Sequence, residues 1–434
     1  MKKAEFKRRR RHLLEEIQDG IAIVSTNPHH FRNRDTQFTF RPDSDFYYLT
    51  GFAEPEAVAV FIPGRADGEF VLFCRPKDPL RETWDGRRAG QAGACKDFGV
   101  DQAFDIAELD QQMPELLKNR QRVYYSIGKQ PEFDTRVMSW VNELRAQARA
   151  GVNTPNEFIT LDHVLHEHRL FKSAAEINAM RTAGTISAAA HVRAMKTCKP
   201  GMLEYQLEAE MQHEFISRGA RAPAYNFIIG GGANSCILHY GENDQKLRSG
   251  DLVLIDAGAE YDYYAGDITR TFPINGRFTD DQRTLYNLVL ESQAAAIAEV
   301  APGNHWDQPH IAAQTVIIEG LLELGILRGT LEEQLESGDF KRFFMHRTGH
   351  WLGMDVHDVG DYKIDDQWRL LEAGMVTTVE PGIYIAAGSA GVDKKWWDIG
   401  IRIEDDALVT KSGCEIFTSD VPKTVEEIEA LMLG

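Results

Sequence analysis

Asp256, Asp267, His350, Glu380 and Glu404 are the side chains that could together hold metal ions, and each closes a short apolar run or sits beside a glycine-bearing turn. Four carboxylates and one imidazole suit a pair of divalent cations with shared carboxylates, and cations about 3.5–4 Å apart can turn a shared water into hydroxide at neutral pH. The expected chemistry is hydrolysis at a two-metal centre. Leu252-Val253-Leu254-Ile255-Asp256 reads as a buried strand ending in an acid, and a buried charge has to be paired or bound. Asp267 follows eleven residues later in Gly266-Asp267-Ile268-Thr269-Arg270, enough for a hairpin to return it beside Asp256. Two such carboxylates repel, and a cation resolves the repulsion. Taken singly, each acid also reads as an ordinary salt-bridge partner, Asp267 to Arg270 for example.

His346 and His350 stand four apart, and His357 follows. The spacing matches a zinc helix of the His-Glu-x-x-His type, but Arg347 occupies the glutamate's place, so that reading fails. Gly349 and Gly353 instead predict an irregular, tightly turned segment that points His350 into a cleft. Read alone, His346 and His357 are structural hydrogen-bonders. Glu380 ends the run Met375 to Val379 just before Pro381-Gly382. In Ile401-Arg402-Ile403-Glu404 the alternation puts Arg402 and Glu404 on one face of a strand. That face is either an exposed, charged one or, beside the other acids, a place where Arg402 orients a ligand carboxylate.

The strings LIDAGAEYDYYAGDITRTFP, HWLGMDVHDVG, VEPGIY and GIRIEDD, with RPDSDFYYLTGFAEPEA earlier, resemble those of aminopeptidase P, in the metallopeptidase family that also holds prolidase and methionine aminopeptidase. The resemblance runs nearly end to end. It implies an α/β (α+β) chain, with an N-terminal creatinase/prolidase-like α/β domain containing a mixed sheet and a C-terminal pita-bread domain of two pseudo-twofold halves. It also implies two manganese ions: Asp267 and Glu404 would bridge them, Asp256 would complete one, and His350 and Glu380 would complete the other. His239 and His357 would contact the scissile carbonyl and the charged intermediate, and Glu380 would carry a proton to the leaving nitrogen. His346 would line a pocket for proline, and Tyr384 and Arg402 would support Asp256. Read alone, His239 between Leu238 and Tyr240 is a core residue. Asp35, Trp84 and Arg149 would shape the substrate entrance, Trp84 from a neighbouring subunit of a homotetramer or homodimer. The implied reaction removes the first residue of peptides with proline in second place, through attack by a metal-bridging hydroxide. Two alternatives remain: a prolidase, which cleaves only Xaa-Pro dipeptides and shares all five ligands, and a non-catalytic binding protein of the same fold.

A chain of 434 residues suggests two or three domains. Its first part alternates strands (Gly20 to Val24, Phe70 to Phe73) with helical stretches (Arg136 to Val141). Ser173-Ala174-Ala175-Glu176 has capping-box form and opens a long helix, which places the domains at 1–172 and 173–434. Within the second domain, helical stretches break at Pro200-Gly201 and at Pro302-Gly303, 102 residues apart, and each restarts before donor-bearing strands. This is the mark of an internal duplication. Gly230-Gly231-Gly232 lacks a following Gly-Lys-Ser/Thr, so it reads as a flexible turn near the site rather than a phosphate cradle. Lys+Arg 48 against Asp+Glu 66 gives −18, a field that repels nucleic acid and anionic membrane. The basic run Lys7 to Arg11 shares a helix with the apolar stripe Phe6, Leu13, Leu14 and Ile17 and is expected on its solvated face. The chain has no apolar run of about 18 residues and no signal peptide at its start. Five scattered cysteines argue against a disulfide framework or a cysteine zinc site and fit a reducing cytoplasm.

Overall fold

Strands β1 (Ile21–Ser25), β2 (Val58–Phe61), β3 (Phe70–Cys74), β4 (Gln102–Asp105), β5 (Arg122–Tyr124) and β6 (Glu157–Ile159) form one sheet in the order β4-β3-β2-β1-β5-β6. β2 is antiparallel to β1 and β3 while the other pairs are parallel, so the sheet is mixed, as the resemblance implies. The computed structural model describes residues 1–434 and divides into two units, 1–168 and 169–434, a few residues ahead of the boundary expected at Ser173. In the first unit, strand alternation sends Ile21, Ile23, Val58 and Val60 to one face, where they pack with Leu109, Met113, Val137 and Trp140 of the helices Leu109–Leu117 and Pro131–Ala146. The N-terminal helix Lys3–Ile17 corrects one expectation, because Arg9 and Arg10 are buried rather than solvated. Their guanidiniums donate to Tyr48 O (3.0 Å) and Leu49 O (2.9 Å) at the C-terminal end of the helix Ser44–Thr50, where unpaired carbonyls attract a cation.

The second unit begins with the predicted capping box, Ser173 accepting from Glu176 N and Glu176 accepting from Ser173 N, at the start of the helix Ala174–Thr197. Its halves repeat one plan. In the first, the helix turns at Gly201 (φ +98°) into the helix Glu204–Ser217; in the second, the helix Asp280–Glu299 turns at Gly303 (φ +93°) toward the helix Gln308–Glu323. Both turns need a left-handed residue, which glycine supplies without strain. Gly201 N donates to Leu247 O and Leu247 N to Met202 O, while Gly303 N donates to Leu371 O and Leu371 N to Asn304 O. The strands that follow, Leu252–Asp256 and Val376–Val379, run up to Asp256 and Glu380 and pair antiparallel with Thr269–Pro273 and Asp405–Val409. One core joins both halves through Val253, Ile255, Phe272, Leu285, Ile317, Ile383 and Ile401.

The glycine triplet is not a flexible turn. Gly230 and Gly231 end the strand Ile228–Gly231, Gly232 opens a short 3-10 helix, and a Cβ on Gly230 would lie 2.7 Å from Asn234 O. Gly258 is tighter still, since a Cβ there would lie 1.7 Å from Gly266 O, between the stretches that carry Asp256 and Asp267. Gly258→Ala should therefore destabilise the protein by about 1–3 kcal/mol or more. At Gly241, where a Cβ meets nothing within 4 Å, alanine should change stability by less than about 0.5 kcal/mol. Urea unfolding midpoints check both, and equal midpoints would show that the Gly258 strands have room to part.

Candidate metal centre

Asp256 lies at the end of its strand, and Asp267 just before the partner strand, whose Thr269 pairs with Asp256. The hairpin anticipated from the sequence thus brings the two acids together, and the Tyr225 hydroxyl lies 2.6 Å from Asp256 Oδ1 and 2.6 Å from Asp267 Oδ1. Arg270 does not neutralise Asp267; its Nη2 donates instead to Asp405 Oδ1 at 2.7 Å. The strand Ile399–Arg402 stops before Glu404, which falls between it and Asp405–Val409 and donates its backbone N–H to Thr269 O at 3.1 Å. Arg402 and Glu404 are both buried, which removes the exposed-face reading. They meet at Thr269, whose Oγ1 donates to Glu404 Oε2 (2.6 Å) and accepts from Arg402 Nε (3.1 Å), while Arg402 Nη2 donates to Asp256 Oδ2 at 2.6 Å.

His350 sits in the predicted irregular segment. Gly349 is required there because a Cβ would lie 2.2 Å from Thr378 O, and His350 N donates to Thr378 Oγ1 at 3.0 Å. His350 Nδ1 faces Trp351 O at 3.0 Å, so it carries hydrogen, and Nε2 points at Asp267 Oδ2 (3.4 Å) and Glu380 Oε1 (3.5 Å). Glu380 is fixed by its N–H to Thr348 O and by Thr378 Oγ1, which donates to Oε1 at 3.2 Å. Donor atoms of Asp267, His350 and Glu404 lie within 4.8 Å of one another. All five donors line a cavity of about 400 Å³, in which Arg402 is the only Lys or Arg side chain.

The donor set fits divalent cations. An imidazole nitrogen and two carboxylate oxygens this close repel unless a proton or a cation lies between them, and oxygen donors with one imidazole suit hard or borderline ions. Without an ion, protons take that role. Burial, then the charges of Asp267, Glu380 and Asp256, hold the Glu404 carboxyl well above its usual range. Burial pushes Glu380 up to about 7. For His350 burial works downward, yet the hydrogen bond to Asp267 and the charges of Glu380 and Asp267 lift it to about 9.

The same cavity wall holds His239, His346 and His357. His239 is exposed in a turn, so the core reading suggested by Leu238 and Tyr240 does not apply. His357 is also exposed, with its ring 4.4 Å from that of His350 and nearly perpendicular; partial burial and then the His350 charge lower its pKa. His346 Nε2 lies 2.9 Å from Tyr384 Oη, which accepts from Arg402 Nη1 at 3.0 Å, and burial and the Arg402 charge push His346 down to about 4. Asp35, Trp84 and Arg149 belong to the first unit, are exposed, and do not line this cavity. Tyr225, Thr269 and Thr378 escaped the sequence reading. Thr269 and Thr378 stand two residues from Asp267 and Glu380, so strand period was the available signal; Tyr225 lies in an irregular stretch and offered none.

Two family models match the chain: "Aminopeptidase P, N-terminal domain" over residues 6–124 and "Metallopeptidase family M24" over residues 178–411. Among similar proteins, the Xaa-Pro aminopeptidase of Escherichia coli (strain K12) is 48% identical over 432 residues, covering 99% of this chain and 98% of its own. That of Haemophilus influenzae is 44% identical over 431 residues, covering 99% and 97%. Among solved structures, the Pseudomonas aeruginosa aminopeptidase PepP superposes with a TM-score of 0.99 at 55% identity, over 100% of this chain and 98% of that one. The zinc-substituted E. coli aminopeptidase P in complex with product gives 0.97 at 47%, over 100% and 98%.

Glu380 and His350 are both raised in the folded protein, from 4.5 to about 7 and from 6.5 to about 9, so their contributions to stability are present at low pH and are lost as pH rises through those windows. Metal-free protein should lose thermal stability as pH rises from 4.5 to about 9. A divalent cation, which displaces those protons, should bind more tightly over the same range. Melting of chelator-treated protein and cation titrations at the two ends check this, and an affinity that falls with pH would contradict the protonated site.

Proposed function

The chain belongs to metallopeptidase family M24, as an aminopeptidase P with that group's N-terminal domain ahead of the catalytic one, and on that premise we propose that it removes the N-terminal residue from peptides whose second residue is proline. One observation carries the reading: five metal-type donors and three further histidines converge on one cavity, in a chain similar from end to end to Xaa-Pro aminopeptidases.

In this reading Asp267 and Glu404 are shared by two divalent ions, Asp256 completes one, and His350 and Glu380 complete the other; we take the ions to be manganese. When bound, such a pair supplies Lewis acidity toward the carbonyl before proline and lowers the pKa of water. The protein's own groups do the rest. Glu380 takes a proton from the attacking water and hands it to the prolyl nitrogen as the C–N bond breaks. His239 and His357 reach into the cavity from exposed positions and donate hydrogen bonds to the oxygen that gains charge. The lowered pKa of His357 keeps it a neutral N–H donor near pH 7. His346, held by Tyr384 and kept neutral by burial, walls the space for the proline ring. Arg402 holds Asp256 in place and offsets one of the four acids.

A homotetramer or homodimer with Asp35, Trp84 and Arg149 around the substrate entrance belongs to the same proposal. What supports it is the helix Pro79–Asp85, which buries no residue and leaves Leu80 and Trp84 80% and 86% exposed. A cytoplasmic location fits five cysteines that are all free. No helix is long and apolar enough to cross a membrane.

His357→Ala should keep both metal ions and lose about 10²–10⁴-fold in rate, the scale of a transition-state donor or acid–base group. Metal analysis alongside kinetics separates this role from that of a ligand, since metal content would fall with a lost ligand. Proline has no N–H and holds φ near −65°, so a pocket shaped for its ring disfavours an extended Xaa-Ala chain. With Mn²⁺ added to metal-free protein, Xaa-Pro-Xaa should lose only its first residue, and Xaa-Ala-Xaa should be turned over far more slowly. Mass spectrometry of the products decides the matter: cleavage confined to Xaa-Pro dipeptides would make the chain a prolidase, and no hydrolysis of any of the three would leave a binding protein.

A further inference from the structure

Behind the cavity, Arg270 and Asp405 form an ion pair with no exposure on either side chain, Nη2 donating to Oδ1 at 2.7 Å. Neither residue lines the cavity, and the proposed reaction uses neither. A buried pair of this kind is weak evidence for stability, because desolvating both charges offsets much of their attraction. What the pair does contribute is geometry. Arg270 Nη1 donates to Thr269 O (3.0 Å), in the first half two residues beyond Asp267, and to Glu404 O (2.6 Å), in the second half. One guanidinium nitrogen therefore grips peptide carbonyls from both halves. Asp405 anchors the other arm, and its carboxylate also accepts from Thr418 Oγ1 (2.6 Å), Gln293 Nε2 (3.0 Å) and Lys423 Nζ (2.8 Å). The next residue, Asp406, accepts the Asp267 backbone N–H at 3.1 and 3.3 Å. Asp267 and Glu404 come from different halves, and both are tied to this one strut.

We propose that Arg270 and Asp405 are positioning residues for the metal centre, setting the distance across which Asp267 and Glu404 share ions. A planar guanidinium meets three oxygens along fixed directions, whereas a lysine ammonium is a point charge on a flexible stem and cannot hold two carbonyls and a carboxylate in one plane. The inference rests on the metal-centre reading above, and its test separates the two. Metal-free wild type, Arg270→Lys, Asp405→Asn and Lys423→Met are checked for folding by circular dichroism and titrated with Mn²⁺ alone, following heat and bound-metal stoichiometry. Disturbing groups that orient metal ligands typically weakens binding about 10–100-fold, and that loss is expected in folded Arg270→Lys and Asp405→Asn. At saturating Mn²⁺ their rates should recover toward wild type with KM for an Xaa-Pro-Xaa peptide unchanged, since neither side chain touches substrate. Lys423→Met, a partly exposed contact on the outer oxygen of Asp405, should fold and weaken Mn²⁺ binding in the same direction by less. Wild-type Mn²⁺ affinity and stoichiometry in folded Arg270→Lys and Asp405→Asn would overturn the proposal, as would unchanged affinity in Lys423→Met if the other two fail to fold. A wild type that binds no Mn²⁺ would sink the metal-centre reading itself.

Discussion

Mutual repulsion among four carboxylates gathered in one cavity is the constraint around which the second unit is built. Each acid leaves water to get there, and a single arginine lines the cavity with them. Hydrogen bonds are distributed accordingly: Tyr225 reaches Asp256 and Asp267, Thr269 reaches Glu404, Thr378 reaches Glu380, and Arg402 takes the far oxygen of Asp256. Arg402 offsets one of the four charges, and the hydroxyl contacts fix where the oxygens point without cancelling the rest. What remains is an excess of negative charge that protons offset when no ion is present and that two divalent ions would remove.

The duplicated plan explains how such an arrangement can be built from ordinary strands. A helix, a Pro-Gly turn with a left-handed glycine, a second helix and a strand running into an acid occur twice, with matching hydrogen bonds at Gly201 and Leu247 and at Gly303 and Leu371. Asp256 follows Leu247 by the same interval as Glu380 follows Leu371. Each half therefore delivers an acid at the end of a buried strand, a place one chain segment can make with a continuous buried run alone, and the site arises where the two ends face one another. The remaining donors, Asp267, His350 and Glu404, lie on the irregular stretches around those strands, where the backbone is free to turn them inward.

Legibility in the sequence followed the same division. Asp256 and Glu380 stand out because an apolar run that ends in a charge needs a partner for it, and the capping box at Ser173 and the two Pro-Gly breaks are local signals that the structure repeats, whereas the mixed sheet is implied only by the resemblance. Glu404 was placed on a continuous strand because Ile401 to Asp406 alternates well, but the chain leaves one strand and enters another around it, a break that depends on Thr269 across the site. Arg9 and Arg10 read as solvated because their partners, the carbonyls ending the helix Ser44–Thr50, are some forty residues away and have no side-chain signature. Tyr225 illustrates the same limit, since its importance lies in two oxygens brought to it only by the folded hairpin.

The division of donors between halves has a consequence for how the protein comes into being. Asp256 and Asp267 are made first, and His350, Glu380 and Glu404 emerge only after three further α-helices. A nascent first half offers a free ion no more than a carboxylate pair in a flexible hairpin, and bringing the distant donors to it means closing long loops, which is slow. The complete donor set therefore exists only after the halves have docked. Any discrimination between ions would be a property of the docked pair, which neither half carries alone.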